Sequence, residues 1–214
     1  MLVVKDPKRE TAELGYVRKA LEQGQLVIVP TDTVYGLAAI ATDADAVATL
    51  YAAKGRPTSQ QTAVVFATVA ELRAEFPELS ARASWAVSAL LPGPFTLIVD
   101  NPEGRLPWLT GGAPGPIGLR VPVGAYALPP IAATSANLAG EPTIVTLADV
   151  TPALEQHVAV AIGRGDLGGG GGTFASTVLD LTAWERGEGP VRAGRDELER
   201  VAQALVVLQG APLG

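Results

Sequence analysis

Three short polar segments are notable in this sequence because each lies where an apolar run ends. They are residues 30–37 (PTDTVYGL), 54–57 (KGRP) and 134–137 (TSAN). Hydroxyls, amides and cations at such places add little to a hydrophobic core, but they can bind a charged, oxygen-rich ligand. These residue types therefore indicate an enzyme of nucleotide chemistry.

The first segment places Thr31, Asp32 and Thr33 directly after the apolar run 26–29. Two hydroxyls and a carboxylate at the end of a strand could contact an amino acid or a nucleotide. The same side chains also form Asx and Ser/Thr turns, and for this segment alone that interpretation is the favoured one. Only together with the other polar segments does it indicate a binding site.

The second segment carries two cations, Lys54 and Arg56, at a predicted helix C-terminus. Cations are favourable there, and for a lone pair of charges this local role is the simpler interpretation. Alternatively they form a clamp, because a guanidinium grips phosphate oxygens through two hydrogen bonds and an ammonium adds a point charge. Arg120 and Arg192 would extend the clamp into a focused positive cavity.

In the third segment Ser135 and Asn137 alternate with Ala136. Alternate residues of an extended chain point to the same side, so the hydroxyl and the amide would face one ligand. The small residue between them keeps that surface open. A capping turn is the open alternative.

Composition excludes several kinds of site. The 214 residues include no cysteine and one histidine, His157, which excludes disulfides, thiolate metal sites and a His-rich zinc site. The sequence has neither a long apolar run nor a charged-then-apolar leader, which predicts a cytoplasmic protein without membrane contact. A net charge of −6 and 5% aromatic residues weaken the alternative of a non-catalytic RNA-binding module.

A glycine-rich stretch spans residues 163–172, and its first part, GRGDLG, formally matches the dinucleotide fingerprint. That site requires a helix N-terminus directly after the glycines, whereas four more glycines follow here. We therefore interpret the stretch as a mobile loop or lid. The sequence also lacks the spacing of an ordinary P-loop.

Helices and strands are predicted to alternate along the chain. The helices are expected at 11–23, 43–54, 81–91, 147–156 and about 196–209. The strands are expected at 26–29, 63–67, 95–99, 117–121, 131–134, 158–162 and 177–181. This interleaving predicts an α/β fold with a mixed sheet, and one domain over residues 1–214.

An ordered series of motifs resembles the YrdC-like family of threonylcarbamoyl-AMP synthases. The series covers about residues 14–194 and comprises PTDTVYGL, KGRP, PGPFTLI, GLRVP, TSAN, STVLD and VRAG. Each motif is weak alone, but the order and spacing are specific. The resemblance implies the short, single-domain form of the family, with a twisted mixed sheet flanked by helices and a concave, basic cavity.

The resemblance also implies a reaction, in which L-threonine, bicarbonate or CO2, and ATP give threonylcarbamoyl-AMP and pyrophosphate. That product supplies threonylcarbamoyl-adenosine modification of tRNA, so tRNA or downstream modification proteins are expected partners. Mg²⁺ is the expected cofactor, entering with ATP. Threonine would be bound by Thr33, Arg120 and Ser176, and Lys54 and Arg56 would be catalytic. ATP would be bound by Lys54, Arg56, Gln60, Ser135, Asn137, Thr143 and Arg192.

Three departures from the family pattern affect the expected pocket. Residues 60–62 read Gln-Gln-Thr where an Asn-Pro-Leu triplet is common, although Gln60 keeps an amide. Val65 replaces a common histidine and Pro116 a common threonine. These changes leave open a diverged paralogue that has the same fold but uses another substrate.

Overall fold

The computed structural model describes residues 1–6, 12–168, 176–185, 191–193, 204 and 206–208. Within these residues, ten strands form one mixed sheet. They are β1 Leu2–Lys5, β2 Leu26–Pro30, β3 Tyr35–Ile40, β4 Ala63–Val65, β5 Phe95–Val99, β6 Ile117–Arg120, β7 Ile131–Ser135, β8 Val158–Gly163, β9 Thr177–Asp180 and β10 Val191–Ala193. Their order across the sheet is β1-β8-β2-β3-β7-β4-β6-β5-β9-β10.

Six helices cover the sheet within the described residues. They are α1 Ala12–Glu22, α2 Ala44–Lys54, α3 Val69–Glu75, α4 Ala81–Leu90, α5 Pro152–Glu155 and α6 Leu181–Glu185. Helix α2 has both predicted end signals. The Asp43 carboxylate accepts hydrogen bonds from the amides of Asp45 and Ala46, and Gly55 ends the helix with a left-handed φ of 63°.

Strand β2 is buried along its whole length because helices cover both of its faces. Val27 and Val29 pack with residues of α1, whereas Leu26 and Ile28 pack with residues of α2 on the other side. Alternate residues of a strand point to opposite faces, so a continuous apolar run is the pattern expected of such a strand. This burial fixes the strand that leads into the first polar segment.

The central strands are covered on one face only. Val64, Leu97 and Leu119 point into a core that includes Val87 of α4 and Phe76. Their neighbours along β4, β5 and β6 point to the opposite face. That opposite face lines a cavity, so the alternation of each strand separates the core from the candidate site.

The mixed α/β sheet flanked by helices confirms the predicted fold class, while several elements differ from expectation. The sequence did not predict β1, β3, α3, α6 or β10. The expected helix at 147–156 is wrong: a 3-10 turn at Leu147–Asp149 precedes the four-residue helix α5. Pro152 has no backbone N–H to donate, which restricts it to the start of a helix.

Two expected segments lie partly outside the described residues. Of the glycine-rich stretch, residues 169–172 are outside them. Of the expected C-terminal helix, only 204 and 206–208 are described, and these four are helical with Ala204 and Leu208 buried. None of the described helices is long and apolar enough to cross a membrane.

Candidate functional site

A cavity of about 260 Å³ lies on the open face of the central strands. Six neighbouring strands or their ends contribute to its wall, in the order β3, β7, β4, β6, β5 and β9. Its polar lining residues are Thr31, Arg56, Gln61, Thr62, Thr96, Arg120, Thr134, Ser135 and Ser176. Its apolar lining residues are Val34, Gly36, Ala63, Val65, Ile98, Gly118, Ala133 and Val178.

The floor of the cavity is made of very small residues on adjacent strands. Ala133 of β7 pairs with Ala63 of β4, and Gly118 of β6 lies beside Ala63 on the other side. A Cβ added to Gly118 would lie 3.3 Å from the Cα and Cβ of Ala63 and from Cγ2 of Thr96. The absence of larger side chains in this row is what leaves room above the sheet for a ligand.

Arg120, at the end of β6, is held by the turn that follows β2. Its Nη2 donates to Oδ1 of Asp32 at 2.5 Å and to Oγ1 of Thr33 at 2.9 Å, and only 8% of the residue is exposed. Its buried Nε has no hydrogen-bond partner among the described residues. Burial lowers the pKa of Arg120 and the Asp32 carboxylate opposes this shift, so the guanidinium stays charged.

The turn itself is built by Thr31. Its Oγ1 accepts hydrogen bonds from the amides of Thr33 (3.1 Å) and Val34 (3.2 Å), and donates to the Val34 carbonyl at 2.7 Å. Asp32 also accepts from the amide of Val123 at 3.0 Å. The local Ser/Thr turn is therefore present, and it presents Asp32 and Thr33 to Arg120. The two interpretations of this segment, a local turn and a part of a binding site, are therefore compatible with each other.

Arg56, at the other side of the cavity, is half-buried and fixed by several contacts. Its Nη1 donates to Oγ1 of Thr134 at 3.1 Å, and its Nη2 donates to the backbone carbonyl of Gln61. The guanidinium carbon lies 5.6 Å from the centre of the Tyr51 ring, within range of a cation–π contact. Its Nε is buried, and no atom of the described part of the chain forms a hydrogen bond with it. Burial lowers the pKa of Arg56.

Lys54 is not among the residues that line the cavity. Its Nζ donates to the backbone carbonyls of Ser135 at 2.5 Å and Asn137 at 2.7 Å, and lies 3.5 Å from Oδ1 of Asn137. The residue is 4% exposed. In this structure Lys54 supports the TSAN segment from behind, and its expected contact with ATP stays a prediction.

The buried ammonium of Lys54 predicts a pH dependence of stability. Burial, followed by the charge of Arg56, lowers the pKa of Lys54 from 10.5 to about 8. Between these values the unfolded chain binds more protons than the folded chain, so the free energy of unfolding should rise with pH. The free energy of unfolding can be measured with urea at about pH 8 and about pH 9.5. Its increase between these two pH values should be larger in wild type than in Lys54→Met, by about 1–2 kcal/mol.

The raised pKa values of Tyr35 and Tyr126 act in the opposite direction, but mainly above their ordinary value of 10.0. The difference between wild type and Lys54→Met removes their contribution. Equal pH slopes in the two proteins would contradict a depressed pKa at Lys54.

Two hydroxyls meet at the β5 and β9 side of the cavity. Oγ1 of Thr96 and Oγ of Ser176 lie 2.8 Å apart, and both side chains line the wall. Thr96 points there because it alternates with Leu97, which is buried in the core. The pair gives the cavity a small hydrogen-bonding patch opposite the apolar Val34 and Val65.

The match to a known family decides the classification. The sequence profile of the Sua5/YciO/YrdC family, described as telomere recombination, matches residues 19–194. The chain belongs to this family. The membership covers all the motifs from the PTDTVYGL segment to VRAG, and therefore every strand that contributes to the cavity.

Relatives in the family are threonylcarbamoyl-AMP synthases by name. One relative is a Mycobacterium tuberculosis protein that carries this name provisionally. It is 33% identical to this chain over 210 residues, and the match covers 94% of this chain and 93% of that protein. The Pyrococcus abyssi threonylcarbamoyl-AMP synthase is 33% identical over 186 residues, with 82% of this chain matched. The chain spans about half of that longer relative, 54% of its length.

Solved structures of the family share the fold. The crystal structure of Pyrococcus abyssi Sua5 complexed with L-threonine has a TM-score of 0.77 and 28% identity, covering 95% of this chain and 61% of that one. Escherichia coli YciO has a TM-score of 0.73 over 92% of this chain and 97% of that one, at 23% identity, a likeness of fold alone.

The family motifs thus converge on the cavity only in part. Four of the predicted site residues line it: Arg56, Arg120, Ser135 and Ser176. Thr33 is not among the lining residues, but its Oγ1 accepts a hydrogen bond from Nη2 of Arg120. Lys54, Gln60, Asn137 and Thr143 are not among its lining residues. Arg192 lies in β10 opposite Leu179, but its side chain is outside the described part of the structure.

Four polar wall residues were missed from the sequence as binding candidates: Gln61, Thr62, Thr96 and Thr134. Thr96 and Thr134 belong to quoted motifs, but their direction depends on strand register, which periodicity does not give in short strands. Gln61 lines the cavity where Gln60 was expected. Among the departures, Val65 lies in the wall, whereas Pro116 lines a different cavity beside Glu78.

The described residues provide no ready-made metal site. They contain no group of three or more His, Asp or Glu side chains that could hold a metal ion, and none of the described wall residues is a carboxylate. Asp32, the carboxylate of the turn after β2, is already bonded to Arg120 and Val123.

Proposed function

We propose that this protein is a threonylcarbamoyl-AMP synthase, which forms threonylcarbamoyl-AMP and pyrophosphate from L-threonine, bicarbonate or CO2, and ATP. The proposal rests above all on one observation: two guanidinium groups from separate elements, those of Arg56 and Arg120, line one cavity. Two anionic substrates fit two such groups. The names of the relatives, and the threonine in the Sua5 complex, support the same substrates.

In the proposed reaction the threonine amine attacks CO2, and loss of a proton leaves a carbamate. A carbamate oxygen then attacks the α-phosphorus of ATP, and the bond to pyrophosphate breaks. No protein nucleophile is needed, which suits a chain without cysteine and with one histidine, His157. The reaction is a nucleotidyl transfer.

The chain's own residues would contribute alignment and charge stabilisation. Arg120, oriented by Asp32 and Thr33, would bind the threonine carboxylate, and the hydroxyls of Thr96 and Ser176 would bind polar groups of the substrate. Arg56 would stabilise the charge that develops on the phosphates. Lys54 would support this from outside the cavity by fixing the TSAN segment.

Mg²⁺ would enter as the ATP complex and neutralise phosphate charge. Because the described cavity wall has no carboxylate, we propose that the ion is held by the triphosphate and water rather than by protein side chains. The product would then serve tRNA modification through a downstream transfer partner, which is a proposal from the relatives' names and from the family resemblance.

Pyrophosphate release tests the proposed substrates directly. Purified protein with ATP, Mg²⁺ and bicarbonate should release pyrophosphate when threonine is added, and far less with serine, valine or no amino acid. Alanine and glycine serve as controls for non-specific stimulation. Equal release with every amino acid would contradict the threonine assignment.

A second candidate, a paralogue that uses another substrate, is favoured by one observation. Val65 places an apolar side chain in the wall near Arg120, where no hydrogen bond can be made. The same amino-acid series distinguishes this candidate, since a paralogue should prefer an amino acid other than threonine. A substrate with an apolar β-branched side chain, such as valine, is the one that this wall would favour.

A further inference from the structure

Gly36 occupies an unusual place for a glycine, the second residue of a strand that is paired on both sides. It lies in β3, pairs with Ser135 of β7 and with Val29 of β2, and lines the cavity. Glycine weakens a strand because it has no side chain to pack and gains more freedom on unfolding than other residues. A glycine at such a position calls for a specific reason.

The backbone conformation does not supply that reason. The φ of Gly36 is outside the left-handed region that favours glycine, unlike that of Gly55 or Gly140. The residue has regular strand geometry, which an alanine adopts without strain.

Crowding by the protein does not supply the reason either. A Cβ built on Gly36 would lie 3.5 Å from the Thr134 carbonyl oxygen, 3.7 Å from that of Val29 and 3.9 Å from Cγ2 of Thr31. These are ordinary van der Waals distances, so the protein has room for the methyl group. Gly118 differs, because three atoms would lie 3.3 Å from its added Cβ.

The remaining explanation for a glycine at position 36 is the cavity that this residue lines. A methyl group there would extend from the wall beside Ser135, and the carbonyl nearest to it belongs to Thr134, whose hydroxyl binds Arg56. We propose that Gly36 is a glycine because of the ligand: its bare Cα lies against the nucleotide on the Arg56 and Ser135 side of the cavity. Gly36 is thereby a residue of the nucleotide-binding wall, and this inference rests on the proposed function.

Gly36→Ala tests the idea, with Gly15→Ala as the matched control. Gly15 is exposed in α1 with nothing within 4 Å of an added Cβ. In a filled cavity an extra methyl group is strongly unfavourable, so Gly36→Ala should raise the Kd and the KM for ATP about 10- to 100-fold. The KM for threonine should change by less than about 3-fold, and Gly15→Ala should leave all three constants unchanged.

Thermal unfolding completes the test. Both variants should melt at the wild-type temperature or about 2 °C higher, since alanine restricts the unfolded chain more than glycine does. A lower melting temperature for Gly36→Ala would show that the fold requires the glycine and would overturn the inference. An unchanged Kd for ATP would overturn it as well.

Failure of this inference and failure of the proposed function have different signatures. Wild-type protein that binds ATP but releases no pyrophosphate contradicts the proposed function, while the ATP Kd of Gly36→Ala still tests the role of Gly36. Active wild type with an equally active Gly36→Ala contradicts the role of Gly36 alone.

Discussion

Arg120→Gln is expected to raise the KM for threonine about 10- to 200-fold, because the substrate carboxylate would lose its charged hydrogen-bonding partner. The Arg120 residue is 8% exposed and its Nη2 is already fixed by Asp32 at 2.5 Å, so the guanidinium is held in one orientation. The KM for ATP should change much less. Steady-state kinetics of pyrophosphate release with each substrate varied separately would measure both constants.

The same substitution leaves the largely buried Asp32 carboxylate without its cation, which is expected to lower the free energy of unfolding by about 3–5 kcal/mol. The double variant Asp32→Asn/Arg120→Gln separates stability from binding, since the amide introduced at position 32 carries no charge that requires a cation. It should recover much of the stability, but none of the threonine affinity. Recovery of threonine use in the double variant would contradict direct binding of the carboxylate by Arg120.

Arg56→Ala is expected to slow the reaction about 10- to 200-fold, because a hydrogen bond to a charged group contributes about 1.5–3 kcal/mol to the transition state. The effect should appear mainly in kcat and in the KM for ATP. Arg56 also donates to Thr134 and to the Gln61 carbonyl, so the chain after α2 should become more mobile in the variant. Amide hydrogen exchange of residues 58–62 would report that part of the effect.

Arg56→Lys is the matched control for charge. A lysine keeps the positive charge but lacks the planar pair of donors and the Tyr51 contact, so its rate should fall between those of wild type and Arg56→Ala. Pyrophosphate release near the wild-type rate in Arg56→Ala would rule out Arg56 as a residue of the reaction.

Local signals in the sequence predicted much of the framework. Asp43 and Gly55 set the ends of α2 because capping and left-handed geometry depend on single residue types. The apolar run of β2 predicted a fully buried strand. Strand β3 was missed because its polar start and its small, fully buried residues give no alternating pattern.

The site was harder to predict than the framework because it depends on strand register and side-chain direction. The sequence grouped Lys54 with Arg56, but the two side chains point to different places: Arg56 lines the cavity, while the Nζ of Lys54 bonds carbonyls behind it. The ion pair between Asp32 and Arg120 joins residues 88 positions apart in the chain. Such a contact follows from sheet order, which the pattern of apolar residues does not specify.

Detection of the product by mass spectrometry tests the central claim most directly. Wild-type protein with ATP, Mg²⁺, threonine and ¹³C-labelled bicarbonate should form an adenylate that carries both threonine and the labelled carbon, together with an equal amount of pyrophosphate. The product should be absent when any one of the three substrates is omitted. Threonine-dependent pyrophosphate release with no labelled carbon in the adenylate would contradict a threonylcarbamoyl-AMP synthase.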